Sequence, residues 1–145
     1  MQSSNFSAPE PTFASFLARS LSALATELPW AYAKMCRTLN GREVSIELDG
    51  AIAVVLCSAD SAAVASSGVA PAVECRTTRA AVLALARAET TLLEAVLGER
   101  VWLKGRVADL LAFHDGLMIY LGGAVRSPSF PGLLYEFRGL PCQRL

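Results

Sequence analysis

The chain has 145 residues and a mass of 15.4 kDa, which is the size of one ordinary domain with a single hydrophobic core. Hydrophobic residues make up 53% of it, charged residues 18%, and the mean hydropathy is +0.41, which excludes a largely disordered or fibrous chain. The 13 basic and 13 acidic residues cancel, so no positive field is available to attract nucleic acid, and we expect no nucleic-acid partner.

The apolar composition does not predict a membrane span. The most apolar helical stretch, residues 13–28, carries Arg19, Glu27 and several hydroxyl side chains, and it predicts an amphipathic helix. The sequence shows no secretory signal pattern, so a cytoplasmic location is expected. The cysteines lack the spacing of metal ligands or of a disulfide framework, which predicts free thiols, no metal and no cofactor. These cysteines are Cys36, Cys57, Cys75 and Cys142.

The start of the chain predicts a lead-in followed by two helices. Residues 1–11 are polar and proline-bearing, which is typical of a disordered segment, and Thr12 can cap the helix that follows. Apolar residues recur at helical spacing over 13–28, and Pro29 ends this helix. A second, short helix is expected over 30–39.

Strands follow these helices. Residues 44–48 alternate between apolar and polar side chains, and an Asp-Gly pair then predicts a tight hairpin turn to a partner strand over 51–57. Two further short strands are expected over 61–66 and 72–77, because Gly and Pro separate them. Short connections normally join neighbouring strands, so the sequence predicts a meander.

The next part of the chain predicts paired helices that lead into a fifth strand. A helix is expected over 79–88, and Thr91 with Glu94 matches the capping box of another helix. The fifth strand is expected over 100–104. Within it, Trp102 is expected to cover the outer sheet face beneath the N-terminal helix or, alternatively, to form part of a cavity wall.

Two helices are expected to complete the chain. The first, over 108–121, is expected to end at Gly122 and Gly123, and the last is expected over 128–137. Runs of strands followed by grouped helices are typical of an α+β domain with a largely antiparallel sheet.

Two segments carry a family resemblance. NGREVSIELDGAIAVVL (residues 40–56) forms the hairpin, and TTLLEAVLGERVWLKGRVADLLAF (90–113) contains a strand with the pattern basic–apolar–x–apolar–basic–Gly. With this order of elements, residues 40–138 resemble the sterol carrier protein family of nonspecific lipid-transfer domains. The expected organisation of this single domain is a disordered lead-in (1–11), additional N-terminal helices (12–39) and a sterol-carrier-like lipid-binding part (40–145).

The resemblance implies a curved, largely antiparallel five-stranded sheet that helices cover on one face, with an apolar tunnel between the two layers. The helix over 108–121 is apolar around much of its circumference and therefore needs two burying surfaces, one of which a ligand can supply. The expected ligand-binding residues are Leu92, Leu93, Val96, Leu110, Phe113, His114, Leu117, Met118, Leu121, Leu134 and Phe137. The last helix is expected to act as a lid, with Glu136 and Arg138 turned towards water.

His114, the single histidine, allows three interpretations: a half-buried structural histidine, a polar group that meets a ligand hydroxyl or carboxylate in the tunnel, or a general base. Neighbouring residues do not face each other on a helix, so Asp115 is not expected to orient the imidazole ring. No nucleophile can be assigned, and the sequence therefore predicts no catalytic residue.

The function that these observations favour is binding, transport or presentation of a lipid-like apolar molecule, such as a sterol, fatty acyl, isoprenoid or polyketide-like compound. One alternative is a cavity enzyme that isomerises or cyclises a hydrophobic intermediate, with His114, Asp115 or Tyr120 transferring protons. Another is an accessory subunit in which residues 13–39 form a homodimer or dock to a lipid or quinone biosynthetic complex. The Ala-rich composition, with Arg in excess over Lys, is typical of a bacterial protein.

Overall fold

The computed structural model describes residues 12–141 of the chain. The helices are α1 (Phe13–Glu27), α2 (Pro29–Thr38), α3 (Arg79–Ala86), α4 (Leu92–Leu97), α5 (Val107–Arg126) and α6 (Phe130–Arg138). The strands are β1 (Glu43–Leu48), β2 (Ala51–Cys57), β3 (Ala62–Ala65), β4 (Val73–Thr77) and β5 (Trp102–Gly105). This is the predicted α+β class. The expected lead-in (1–11) and Cys142 lie outside the described residues.

The local signals in the sequence have the predicted structures. The Thr12 hydroxyl accepts a hydrogen bond from the Ser15 amide at the start of α1. In the capping box of α4, the Thr91 hydroxyl accepts a hydrogen bond from the Glu94 amide at 3.1 Å, and the Glu94 carboxylate accepts one from the Thr91 amide at 3.0 Å. In the hairpin turn, Gly50 has a φ of 90°, a conformation that glycine adopts without strain.

The five strands form one mixed sheet in the order β3-β2-β1-β4-β5. The pairs β1–β2, β2–β3 and β4–β5 are antiparallel, whereas β1 and β4 are parallel. The predicted meander is therefore wrong for β4, which lies on the far side of β1 from β3. The connection between β3 and β4 passes over the outer sheet face, where Gly68 lies against Glu43 and Val54. It buries Val54, which is 1% exposed, and this long-range contact has no local sequence signal.

The helices cover the inner face of the sheet, to which Val44, Ile46 and Leu48 of β1 contribute. Helices α1 and α2 belong to the core. Helix α1 packs on β2 and β3, and α2 packs on α5. Their buried side chains are Phe13, Phe16, Leu17, Ser20, Leu21, Leu24, Ala31, Met35 and Cys36. The apolar face of residues 13–39 is thus buried within the chain, and a docking role for this segment remains a prediction.

Helix α5 does not end at Gly122 and Gly123 as predicted, but continues to Arg126. Gly123 is required for close packing instead, because a Cβ atom there would lie 2.6 Å from Cδ1 of Leu24, a buried residue of α1. Gly122 has no neighbouring atom within 4 Å of a Cβ position. Gly123 therefore reflects contact between α1 and α5, not a helix terminus.

Trp102 lies neither beneath the N-terminal helix nor in the cavity wall. It is 43% exposed on the outer sheet face, where the guanidinium of its cross-strand partner Arg76 lies 4.5 Å from the ring centroid. This cation–π contact stabilises the Trp102 ring at a position that is partly exposed to solvent. Within residues 12–141, no helix combines the length and the apolar character that crossing a membrane requires.

Candidate functional site

An apolar cavity of about 130 Å³ lies between the inner sheet face and the helices. The sheet contributes Ile46, Leu48, Cys75 and Thr77, and α1 contributes Phe13, Phe16, Leu17 and Ser20. Helix α3, the start of α4 and the residue before β5 contribute Val82, Leu83, Leu85, Ala86, Leu92 and Val101. Helices α5 and α6 complete the lining with Phe113, Leu117, Tyr120, Leu121, Ala124, Phe130, Leu133, Leu134 and Phe137.

Many of the residues expected to bind a ligand line this cavity. They come from three helices, α4, α5 and α6. The residues that the structure brings together are Leu92, Phe113, Leu117, Leu121, Leu134 and Phe137. On α5 the lining residues recur at spacings of three and four, so they form one face of the helix.

The other expected residues lie elsewhere. Leu110 and Val96 pack against a neighbouring part of the core around Val44 and Val73. Leu93 is 67% exposed, since α4 buries the face that carries Leu92.

His114 and Met118 also lie outside the cavity lining, on the exposed side of α5. His114 Nδ1 lies 3.1 Å from Asp115 Oδ1, so Asp115 is close enough to orient the imidazole ring, and the expectation that it does not is wrong. Both side chains are at least half exposed, and rotation of exposed side chains brings their tips together even though their Cβ atoms diverge. The structure therefore does not place His114 where a ligand in the cavity would meet it.

A hydroxyl pair supplies polar groups to the cavity lining. Ser20 of α1 and Tyr120 of α5 have their oxygens 2.6 Å apart, and Ser20 Oγ lies 3.0 Å from the Leu17 carbonyl oxygen. Burial raises the pKa of the Tyr120 phenol, and the hydrogen bond with Ser20 opposes this only in part. Tyr120 is therefore a neutral phenol at physiological pH. The sequence signal was its position on the inward stripe of α5, seven residues after Phe113.

The lining is electrically neutral. Burial raises the pKa of the Cys75 thiol to about 12, so Cys75 remains protonated and unreactive. Asp, Glu, Lys and Arg are absent from the lining described above. Cys36, Cys57 and Cys75 are buried free thiols. Between residues 12 and 141, no three His, Cys, Asp or Glu side chains are placed to hold a metal ion.

Helix α6 closes one side of the cavity and is held at both ends. At its start, Glu27 of α1 accepts hydrogen bonds from the hydroxyls of Ser127 and Ser129, which lower the pKa of this carboxyl. At its end, the Arg79 guanidinium donates a hydrogen bond to the Arg138 carbonyl oxygen at 2.7 Å.

Polar and aromatic contacts also fix the last turn of α6 against α1. Glu136 forms an ion pair with Arg19, so the expectation that Glu136 is left to water is wrong. The ring centroids of Phe137 and Phe16 are 5.3 Å apart. Helix α6 is therefore a cavity wall that is joined to the rest of the fold mainly through α1, α3 and α5.

No protein-family model matches the chain, and no curated protein matches it by sequence. Solved structures do match, and they show that the chain has the fold of sterol carrier protein 2 (SCP2) domains. The predicted resemblance to this family is confirmed at the level of the fold.

Three of these structures illustrate the likeness. The "UbiJ-SCP2 Ubiquinone synthesis protein" has a TM-score of 0.58 and 14% identity, and the match covers 77% of this chain and 96% of that one. The sterol carrier protein domain 2 of Helicoverpa armigera has a TM-score of 0.59 and 14% identity, covering 84% and 96%. A possible sterol carrier protein from Thermus thermophilus has a TM-score of 0.56 and 15% identity, covering 89% and 99%.

Proposed function

We propose that this protein binds a lipid-like apolar small molecule in the cavity and carries or presents it. The observation that carries the proposal is the neutral, almost wholly apolar lining that the sheet, α1, α3, α5 and α6 build together. The likeness of the fold to a sterol carrier protein domain and to a possible sterol carrier protein supports it. Sterol, fatty acyl, isoprenoid and polyketide-like compounds remain the proposed ligand classes, and the cytoplasm remains the proposed location.

Affinity in such a site comes from removing apolar surface from water, which contributes about 25 cal/mol per Å². The mechanism is therefore partition of the ligand between water and the cavity. A cavity of about 130 Å³ is close to the engineered cavity of about 150 Å³ that binds benzene. Sites for larger ligands occupy about 300–1,000 Å³. A full lipid chain thus requires the cavity to widen, and we propose that α6 moves outward to admit it.

The domain organisation follows from the same proposal. Because α1 lines the cavity with Phe13, Phe16, Leu17 and Ser20, this helix forms part of the proposed ligand site and is not an appendage to residues 40–141. The ligand-binding residues that we propose are those of the cavity lining. His114, Leu93 and Met118 are not among them.

The experiment that tests this function is a search for bound apolar material in the purified protein. Native mass spectrometry should show a mass above that of the chain alone, and solvent extraction should release the added mass. After extraction, a fluorescent apolar probe should bind saturably with a micromolar Kd and be displaced by fatty alcohols. An extracted protein that remains folded and binds none of these compounds would contradict the proposal.

A second candidate function is presentation of the bound molecule to a biosynthetic enzyme. The fold neighbour described as a ubiquinone synthesis protein favours it. A presenter would bind its ligand without turnover, but its partner would work more slowly on the same compound supplied without the protein. Turnover of the bound compound by the isolated protein would instead favour the cavity-enzyme alternative.

A further inference from the structure

We propose that Ser20 and Tyr120 select, among apolar ligands, those that carry a hydroxyl group able to donate a hydrogen bond. This inference rests on the proposed function, because it concerns the ligand of the same cavity. The two residues lie on different helices, α1 and α5, and both contribute to the lining. Their two hydroxyl groups form a polar point in a cavity lining that is otherwise almost wholly apolar.

The direction of the hydrogen bonds follows from the number of hydrogens. Ser20 has one hydroxyl hydrogen, and it is donated to the Leu17 carbonyl oxygen, 3.0 Å from Ser20 Oγ. The Leu17 carbonyl oxygen cannot donate, so both contacts of Ser20 are hydrogen bonds only if Tyr120 donates its phenolic hydrogen in the 2.6 Å contact. Both donors of the pair are consumed inside the protein.

The pair of hydroxyl groups can still accept hydrogen bonds from a ligand. A hydroxyl oxygen can accept two hydrogen bonds. Tyr120 donates in the contact with Ser20, so its oxygen keeps lone pairs for a ligand in the cavity. The other hydroxyl in the lining, that of Thr77, donates to the Arg100 carbonyl oxygen at 3.2 Å and belongs to the sheet, not to the helices that carry this pair. A ligand hydroxyl beside Tyr120 would therefore meet an acceptor.

Other head groups fit this arrangement less well. A ketone offers only an acceptor, and it could bind only if Tyr120 turned its hydrogen away from Ser20 and Ser20 gave up its bond to Leu17. A carboxylate would bring a negative charge into a lining that holds no Lys or Arg to pair with it. A hydrocarbon would leave the remaining lone pairs of the Tyr120 oxygen without a hydrogen-bond donor.

The test uses compounds that share one skeleton and differ in head group. Decane, 2-decanone, 1-decanol and decanoate at pH 8 would each be titrated against a bound fluorescent apolar probe. The wild-type protein should bind 1-decanol about five- to tenfold more tightly than 2-decanone or decane. Decanoate should bind no more tightly than decane.

Two conservative variants make the test specific. Tyr120→Phe keeps the ring but removes the acceptor, so the preference for 1-decanol should disappear while decane binds at least as well as before. Ser20→Ala frees the phenolic hydrogen of Tyr120, so the preference should shift from the alcohol towards the ketone. Tyr135→Phe, at a position that is 84% exposed on α6, is the matched control and should leave all affinities unchanged.

The inference and the proposed function fail in different ways. If all four compounds bind but the ratios among them are the same in the wild type and in Tyr120→Phe, this inference is overturned and the proposed function stands. If no compound displaces the probe and the probe itself does not bind saturably, the proposed function fails and this inference falls with it.

Discussion

Replacing Ala124 by Phe should lower the affinity for an apolar probe at least about 100-fold, which corresponds to about 2.7 kcal/mol of binding free energy. Ala124 lies on the inward face of α5 and lines the cavity. A cavity of about 130 Å³ is close to the volume that holds one benzene molecule, so the new phenyl ring would occupy the space that the ligand needs. The fold should survive, because the ring gains contacts with a lining that otherwise faces a void.

The control for this prediction is Val125→Phe. Val125 is the next residue on α5 and is 40% exposed, so the same aromatic ring would point away from the cavity. Its probe affinity should equal that of the wild type. Probe titration and thermal unfolding should be measured on both variants. A folded Ala124→Phe protein with wild-type affinity would show that the ligand binds elsewhere.

Replacing Phe137 by Ala should lower the free energy of unfolding by about 3–4 kcal/mol. Phe137 is 6% exposed, packs against Phe16 and lines the cavity from α6. The space that its ring leaves would join the existing cavity. A small apolar ligand should therefore recover more stability in this variant than in the wild type, which distinguishes a cavity wall from an ordinary core position.

Chemical denaturation with and without saturating cyclohexane is the measurement for Phe137→Ala. Tyr135→Ala is the matched control on the same helix. Because Tyr135 is exposed, the free energy of unfolding of this variant should change by no more than about 0.5 kcal/mol. A loss below about 1 kcal/mol in Phe137→Ala would show that α6 is only loosely attached. If cyclohexane stabilises Phe137→Ala no more than it stabilises the wild type, Phe137 does not border the ligand site.

The elements that local chemistry determines were predictable from the sequence. The Thr12 and Thr91 caps, the hairpin and the order of helices and strands each depend on a few neighbouring residues. The position of β4 was not predictable in this way, because it depends on a connection that packs Gly68 over Val54 across the outer face of the sheet. The role of Gly123 is similar, since it depends on Leu24, which is remote in sequence.

The residues of the candidate site were likewise predictable only in part from the sequence. An apolar helix predicts that some face is buried, but neighbouring residues on a helix differ by about 100° in direction. The sequence alone could not determine whether the stripe with Phe113 and Tyr120 or the adjacent stripe with His114 and Met118 faces inward. Packing of α5 against α2, α1 and the sheet determines this rotation, and it places Tyr120, not His114, at the polar point of the cavity.

The most direct test of the central claim is photochemical labelling of the ligand site. A fatty alcohol with a diazirine in its chain would be bound, irradiated and mapped by peptide mass spectrometry. We predict labels on residues 13–20 of α1, 117–124 of α5 and 130–137 of α6, and we predict that Ala124→Phe prevents them. Labels confined to the outer sheet face around Ile52 and Trp102, or labels that persist in Ala124→Phe, would contradict a ligand site in the cavity.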